Sequence, residues 1–410
     1  MRSWASGASI FTQPEERMGI KKLAVFSIAV SVLVYLLLVI PSLTARSPPS
    51  TVLRPAKERP YPVSFAYLIS LSKGDVDQVK RMLGALYHPG NHYLLHLDSE
   101  ASEAEHAELV TFVSVHPVFR EVGNIWIVQK SNLVTYRGPT MLANTLHAMA
   151  MLLKACEWEW FVNLSAADYP LITQDDLIYA FSELPRGLNF IQHSSQLGWK
   201  RNKRGKPIIM DPGLYSRNKS EIIWLPKQRS QPTAFKLFTG SAWTVVSRAF
   251  AEYCIIGWDN LPRTLLLYYT NFISSPEGYF QTVACNSMQF RNSTVNHDLH
   301  YITWDNPPKQ HPQMLGMKDF RRMIISSAPF ARKFRKDDPV LGRIDREILK
   351  RSSESFAYGG WCAGSGGGAC FGDDWRKNVG VMKPGPGGRR LKALLGRITS
   401  VGSLRSRQCR

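Results

Sequence analysis

The chain has 410 residues, 44% of them hydrophobic and 11% aromatic, which excludes an intrinsically disordered protein and supplies a sizeable core. Its formal net charge is +19, from 51 Lys and Arg against 32 Asp and Glu. These basic residues are scattered rather than gathered on one motif. That argues against a nucleic-acid binder and leaves anionic small molecules, acidic glycans or a solvated basic face.

Residues 23–40 (LAVFSIAVSVLVYLLLVI) are uncharged and apolar, close to the ~20 residues that cross ~30 Å of hydrocarbon. Arg17, Lys21 and Lys22 precede the run and only Arg46 follows it closely. The bias predicts an uncleaved signal-anchor, with residues 1–22 cytoplasmic and the remainder lumenal. A cleaved signal peptide is the rival, but its apolar region is usually ~7–15 residues and Thr44-Ala45-Arg46 is a poor cleavage site. Residues 41–62 carry six prolines and no apolar periodicity, as in an extended stem. A tail, one membrane helix, a Pro-rich stem and a lumenal domain over residues 63–350 make the layout of a Golgi-membrane modifying enzyme. The same layout fits a tethered binding domain.

From Val63 the chain alternates two periodicities. Residues 65–71 (FAYLISL), 92–97 (HYLLHL), 124–129 (NIWIVQ) and 160–164 (WFVNL) read as strands. Between them, helical spacing runs through Val76, Val79, Met82, Leu83 and Leu86, through an acidic segment at 100–115 and through 141–154. The expected fold class is therefore α/β, with a mainly parallel sheet flanked by helices and ligands bound beyond the strands' carboxyl ends. Asp98 and the Asp168 loop fall at such ends. No GxGxxG follows a strand and no P-loop occurs, which counts against a dinucleotide or ATP enzyme. The second half is less regular, and residues 351–410 read as a Gly-rich, partly disordered tail with a short helix over 390–398.

The cysteines match no zinc spacing. In an oxidising compartment Cys362 and Cys370 make a plausible local disulfide, while Cys156 and Cys254 sit in apolar surroundings that suit buried thiols. Asn218 and Asn292 are glycosylation sequons in polar settings. A third sequon, at Asn163, lies in WFVNLSA and is expected to be too buried for use.

The runs at 85–98 (ALYHPGNHYLLHLD), 160–170 (WFVNLSAADYP), 235–243 (FKLFTGSAW), 274–283 (SSPEGYFQTV) and 328–334 (APFARKF) resemble the core-2/I-branching group. That group is glycosyltransferase family 14, related to the peptide O-xylosyltransferases. LVTYRGPTM, LPRTLLLYY and TVNHDLHYITWDNPPKQHP are similar to its plant branch of β-glucuronosyltransferases proposed to act on arabinogalactan. The resemblance implies a GT-A-like fold, an inverting reaction, a UDP-sugar donor, a galactan or arabinogalactan acceptor and no further cofactor. A Golgi homo- or hetero-complex is left open. The alternatives are an N-acetylglucosaminyl- or xylosyltransferase, or a catalytically silent glycan-binding protein.

By the same resemblance Glu277 is the catalytic base. Apolar neighbours would raise its pKa toward working pH, whereas a plain first-turn helix acid is the bland alternative. Arg332 and Lys333 take the diphosphate in place of a metal, and Lys309 stands near a second family cation position. The one Asp-x-Asp, Asp75-Val76-Asp77, reads as a helix N-cap with dipole-favoured acids rather than a metal site. Asp98 is assigned to the uridine, with a turn-forming Asp as its rival. Trp304, Trp243 and Asp168 are assigned to the acceptor, although Asp168 also suits locking its own loop. Ala242 stands where the xylosyltransferases carry an acid, which weakens peptide xylosylation. The basic loop 200–206 reads first as a solvated face and second as a partner for a substrate carboxylate.

Overall fold

The computed structural model describes residues 60–215, 221–307, 309, 311–352, 355–362 and 374–410. Residues 1–22, the apolar run at 23–40, nearly all of the Pro-rich 41–62, Asn218 and Cys370 lie outside the described residues. Among the described residues no helix is long and apolar enough to cross a membrane.

Among the described residues fourteen strands follow one another: β1 (Phe65–Leu71), β2 (His92–Leu97), β3 (Ile125–Ile127), β4 (Trp160–Ser165), β5 (Asp168–Pro170), β6 (Asn189–Phe190), β7 (His193–Ser194), β8 (Pro207–Met210), β9 (Ile223–Gln228), β10 (Thr239–Gly240), β11 (Val245–Ser247), β12 (Thr294–Val295), β13 (His300–Ile302) and β14 (Phe330–Arg332). The main sheet has the order β12-β6-β11-β4-β1-β2-β3. Every pairing in it is parallel except those of β11, which runs antiparallel to both β4 and β6. The result is a mixed, mainly parallel sheet.

An interior strand, β1, explains why helices cover both faces. β1 is apolar at nearly every position, so neither face can meet water. Phe65, Tyr67 and Ile69 enter a core built with the helices Val76–Leu86 and Gln174–Ser182. Ala66 and Leu68 enter the opposite core, built with the helices Thr140–Ala155, Arg248–Ile256 and Tyr279–Asn286. Helices therefore cover both faces, as the alternation of periodicities implied.

A second sheet, β13-β14-β5, prepares the site. β14 lies between its neighbours so that Arg332 pairs in register with Ile302 on one side and Asp168 on the other. Strand pairing alone thus brings together two residues that stand 164 positions apart in the chain.

The C-terminal segment corrects the expectation of disorder over its described part. The expected helix at 390–398 is longer, Pro386–Ile398, and lies against the helix Gln174–Ser182 through Leu391, Leu394, Leu395 and Ile398. Those four residues form an apolar stripe that the flanking glycines obscure in composition. Asp175 accepts from the backbone N–H of Gly360 (2.7 Å) and Lys383 (2.6 Å), and Asp176 from that of Gly385 (2.6 Å). A Cβ at Gly387 would stand 2.4 Å from the Asp176 carboxylate, so glycine there allows the approach.

Cys362 is disulfide-bonded; its expected partner, Cys370, is outside the described residues. A bridge the spacing did not suggest joins Cys285 to Cys409 across 124 residues. Closing a loop of that size removes on the order of 5 kcal/mol of chain entropy from the unfolded state in the loop-closure account. Cys156 and Cys254 are free thiols, and burial pushes Cys156 up to about 12 and Cys254 well above its ordinary value, so both are inert at neutral pH.

Candidate active site

Glu277 closes the tight turn Ser275–Glu277, two residues before the helix Tyr279–Asn286 begins. Buried Ser275 holds the turn by donating from Oγ to the carbonyls of Tyr269 (2.6 Å) and Phe272 (2.8 Å). The Glu277 carbonyl accepts from Thr239 Oγ1 at 3.1 Å. The carboxylate is fully engaged. Its Oε1 accepts from Tyr136 Oη at 2.8 Å, while Oε2 accepts from Lys200 Nζ at 3.0 Å and Arg204 Nη1 at 2.5 Å.

This geometry corrects two expectations. Burial does push the Glu277 carboxyl up, but the adjoining Lys200 and Arg204 outweigh it and hold the group below its ordinary value. Glu277 is therefore ionised throughout the neutral and mildly acidic range rather than poised near it. The loop 200–206 is not simply a solvated face either: Arg201 and Lys203 are exposed, yet Lys200 and Arg204 turn inward. Arg204 also lies over the Trp199 ring, 5.3 Å from its centroid.

Nothing in the sequence singles out Tyr136, although it sits inside LVTYRGPTM. Its loop is pinned from both ends. Val134 N–H donates to Asp98 Oδ2 (2.9 Å), Thr135 Oγ1 donates to Asp211 Oδ2 (3.0 Å), and the Arg137 carbonyl accepts from Ser274 N–H (2.7 Å). A Cβ at Gly138 would stand 1.8 Å from Asp211 Oδ2, so only glycine lets the loop approach. Burial and the nearby Glu277 push the Tyr136 hydroxyl above its ordinary value, so it stays a donor. Arg332 and Arg204 act on it in the opposite sense, which puts both cations within electrostatic reach of this ring.

Arg332 is nearly buried. Its guanidinium lies 3.7 Å from the centroid of the Trp243 ring, and Nη1 is 3.4 Å from Asp168 Oδ1. Asp168 is fully buried and accepts from Ser165 N–H and Oγ, both at 2.6 Å, so it locks its loop and aims Arg332. His300 Nδ1 donates to the Asp298 carbonyl at 2.7 Å, which leaves Nε2 facing Asp168 Oδ1 at 4.0 Å. Arg332 Nη1, Asp168 Oδ1 and His300 Nε2 have no hydrogen-bond partner among the described residues.

The remaining assignments separate. Trp243 is buried beneath Arg332 with Met141 and Ala242 around it, so it carries the cation rather than offering an open face to an acceptor sugar. Trp304 is 48% exposed and lies two residues beyond the Ile302–Arg332 pairing, so its indole is open to solvent. Lys333 is half-buried next to Arg332, whereas Lys309 is exposed and pairs with Asp305 at 3.7 Å. Asp98 serves its turn, accepting from the backbone N–H of Glu100 and Val134, both at 2.9 Å. Asp75 holds the N-cap position but accepts from Ser72 N–H (2.8 Å) instead of capping the helix, and Asp77 faces Lys80 at 3.4 Å. Asn292 is exposed, and Asn163 is buried, as expected.

The Core-2/I-Branching enzyme family profile matches residues 65–324. The chain is 56% identical over 357 residues to the β-glucuronosyltransferase GlcAT14A of Arabidopsis thaliana, covering 86% of this chain and 79% of that one. GlcAT14B of the same plant is 56% identical over 352 residues, covering 84% and 80%. The bovine xylosyltransferase 2 is 29% identical over 331 residues, covering 75% of this chain and 35% of its own length. Together with the carboxylate and the buried cation found in the α/β domain, these similarities show that the chain is a glycosyltransferase and belongs to the Core-2/I-Branching enzyme family.

Proposed function

We propose that the chain transfers β-glucuronic acid from UDP-glucuronate to galactan chains of arabinogalactan proteins, with inversion, as a GT-A-like, single-pass Golgi enzyme whose domain faces the lumen. The observation that carries the chemistry is the ionised Glu277 held by Tyr136, a tyrosine on which buried Arg332 also acts electrostatically. An acceptor hydroxyl attacks the anomeric carbon as Glu277 takes its proton. The new C–O bond forms while the bond to the diphosphate breaks, and the electron pair leaves with UDP. Arg332 and Lys333 meet the negative charge that grows on the leaving phosphate, the role a metal plays in other sugar-nucleotide enzymes. Trp304 offers its exposed face to the acceptor sugar. The glucuronyl donor is supported by the similarity to the Arabidopsis enzymes, and the anchor by the charge bias around residues 23–40.

The test is UDP release by the full chain with UDP-glucuronate, UDP-xylose and UDP-N-acetylglucosamine, each with a galactan acceptor, in EDTA. Turnover should be highest with UDP-glucuronate and should survive the chelator. Preference for a neutral donor would refute the donor assignment; loss of activity restored by manganese would refute the cationic account of the leaving group.

A further inference from the structure

We propose that Lys200 and Arg204 form the recognition site for the donor's carboxylate, gripping Glu277 in the empty enzyme and turning to the uronate group when the donor binds. The inference rests on the glucuronyl-donor reading above.

Three observations carry it. First, both cations converge on one carboxylate oxygen, Glu277 Oε2, while Tyr136 serves Oε1. The pair is thus already arranged around a carboxylate. Second, the charges do not balance: two cations face one anion. They border a small pocket whose lining also includes apolar Leu197, Leu237, Phe238 and Phe272 and polar Thr239 and Ser274. One of the two positive charges is therefore left for a second anion to pair with. Third, each cation has an independent support that would hold it there after Glu277 lets go. Lys200 Nζ donates to Thr239 Oγ1 at 3.1 Å, and the Arg204 guanidinium lies over Trp199 at cation–π distance. A guanidinium fixed by an aromatic ring presents a fork that fits a carboxylate in two-point contact.

A neutral sugar could not take up the surplus charge, so the device discriminates by chemistry and not by size. It also gives the lowered pKa of Glu277 a use. While the site is empty, the base is strapped by Lys200 and Arg204, with Tyr136 as its other neighbour and Arg332 acting beyond that ring. Transfer of a cation to the donor would leave Glu277 a stronger base when a hydroxyl needs deprotonating.

The experiment compares binding of UDP-glucuronate, UDP-glucose and UDP by calorimetry to the full chain and to its Arg204→Gln and Lys200→Gln variants. UDP-glucose differs from the uronate only in carrying CH₂OH for the carboxylate. Each variant should lose ~10–100-fold in affinity for UDP-glucuronate, the range of a charge-assisted hydrogen bond, with UDP-glucose and UDP shifted less than about threefold. Arg204→Lys should recover part of the loss, which separates charge from fold. Equal losses for all three nucleotides, or none for UDP-glucuronate in a folded variant, would overturn the proposal. Wild-type enzyme that turns over UDP-glucose as well as UDP-glucuronate would instead defeat the donor reading on which it rests.

Discussion

Glu277→Gln should lower kcat by ~10²–10⁴-fold while leaving UDP binding intact, the usual contribution of a general base. Gln keeps the shape and can still accept from Tyr136, but it cannot take a proton. The leaving-group contacts reside on other residues, so the nucleotide should still bind. Folding should survive too, with a modest change: Lys200 and Arg204 lose a carboxylate that is only partly shielded from water. The wild-type pH profile gives an independent check. A carboxyl held below its ordinary 4.5 is ionised at all milder pH, so kcat/KM should stay flat from neutrality down to about that value before falling. The sign for stability is the same. The ionised group supports the fold above its unfolded pKa, and that support disappears as pH drops through the lower folded value. A folded Gln variant with normal turnover would remove Glu277 from the mechanism.

Arg332→Gln should cost both stability and rate, and the two costs can be separated. Removing one partner of a buried pair leaves Asp168 uncompensated, which typically costs ~3–5 kcal/mol. Losing a charged group aimed at developing negative charge commonly costs ~10²–10³-fold in kcat. Asp168→Asn added to Arg332→Gln removes the orphaned charge, so the double variant should regain most of the lost melting temperature and none of the lost turnover. Near-normal turnover in that double variant would reduce Arg332 to a structural role. Lys333 would then be the sole cation for the diphosphate.

The fold is legible wherever structure follows from local pattern. FAYLISL, HYLLHL and WFVNL are mainly apolar runs, and each forms a strand of the sheet at nearly the expected positions. The helix at 76–86 is equally plain from its spacing. Features set by distant partners are not. The sign of the Glu277 shift cannot be read locally, because its apolar neighbours are adjacent in sequence whereas Lys200 and Arg204 stand 77 and 73 residues away. Tyr136 is 141 residues from the carboxylate it serves, and nothing local marks a tyrosine in a polar loop as a ligand of a distant acid. Trp243 invites a sugar-stacking role because an exposed tryptophan and a cation-bearing one look alike until Arg332 is seen above it. The bridge from Cys285 to Cys409 is hidden by separation, and the first turn of the helix Pro386–Ile398, expected only from 390, by its glycines.

Asn163 carries a consequence for biogenesis. In β4 its side chain donates to the Ala242 carbonyl (2.9 Å) and accepts from Thr244 N–H (2.8 Å), partners 79 and 81 residues downstream. Until that stretch of chain has emerged, Asn163-Leu164-Ser165 is an unprotected sequon. A glycan attached then would occupy the seam that β11 must fill. Maturation in a secretory host is therefore a race between strand closure and an irreversible modification, and slowly folding molecules lose it. Overexpression should yield an inactive fraction with one extra glycosidase-sensitive mobility step, absent from the active enzyme and abolished by Ser165→Ala. An extra glycan distributed equally between active and inactive fractions would show that no such race is run.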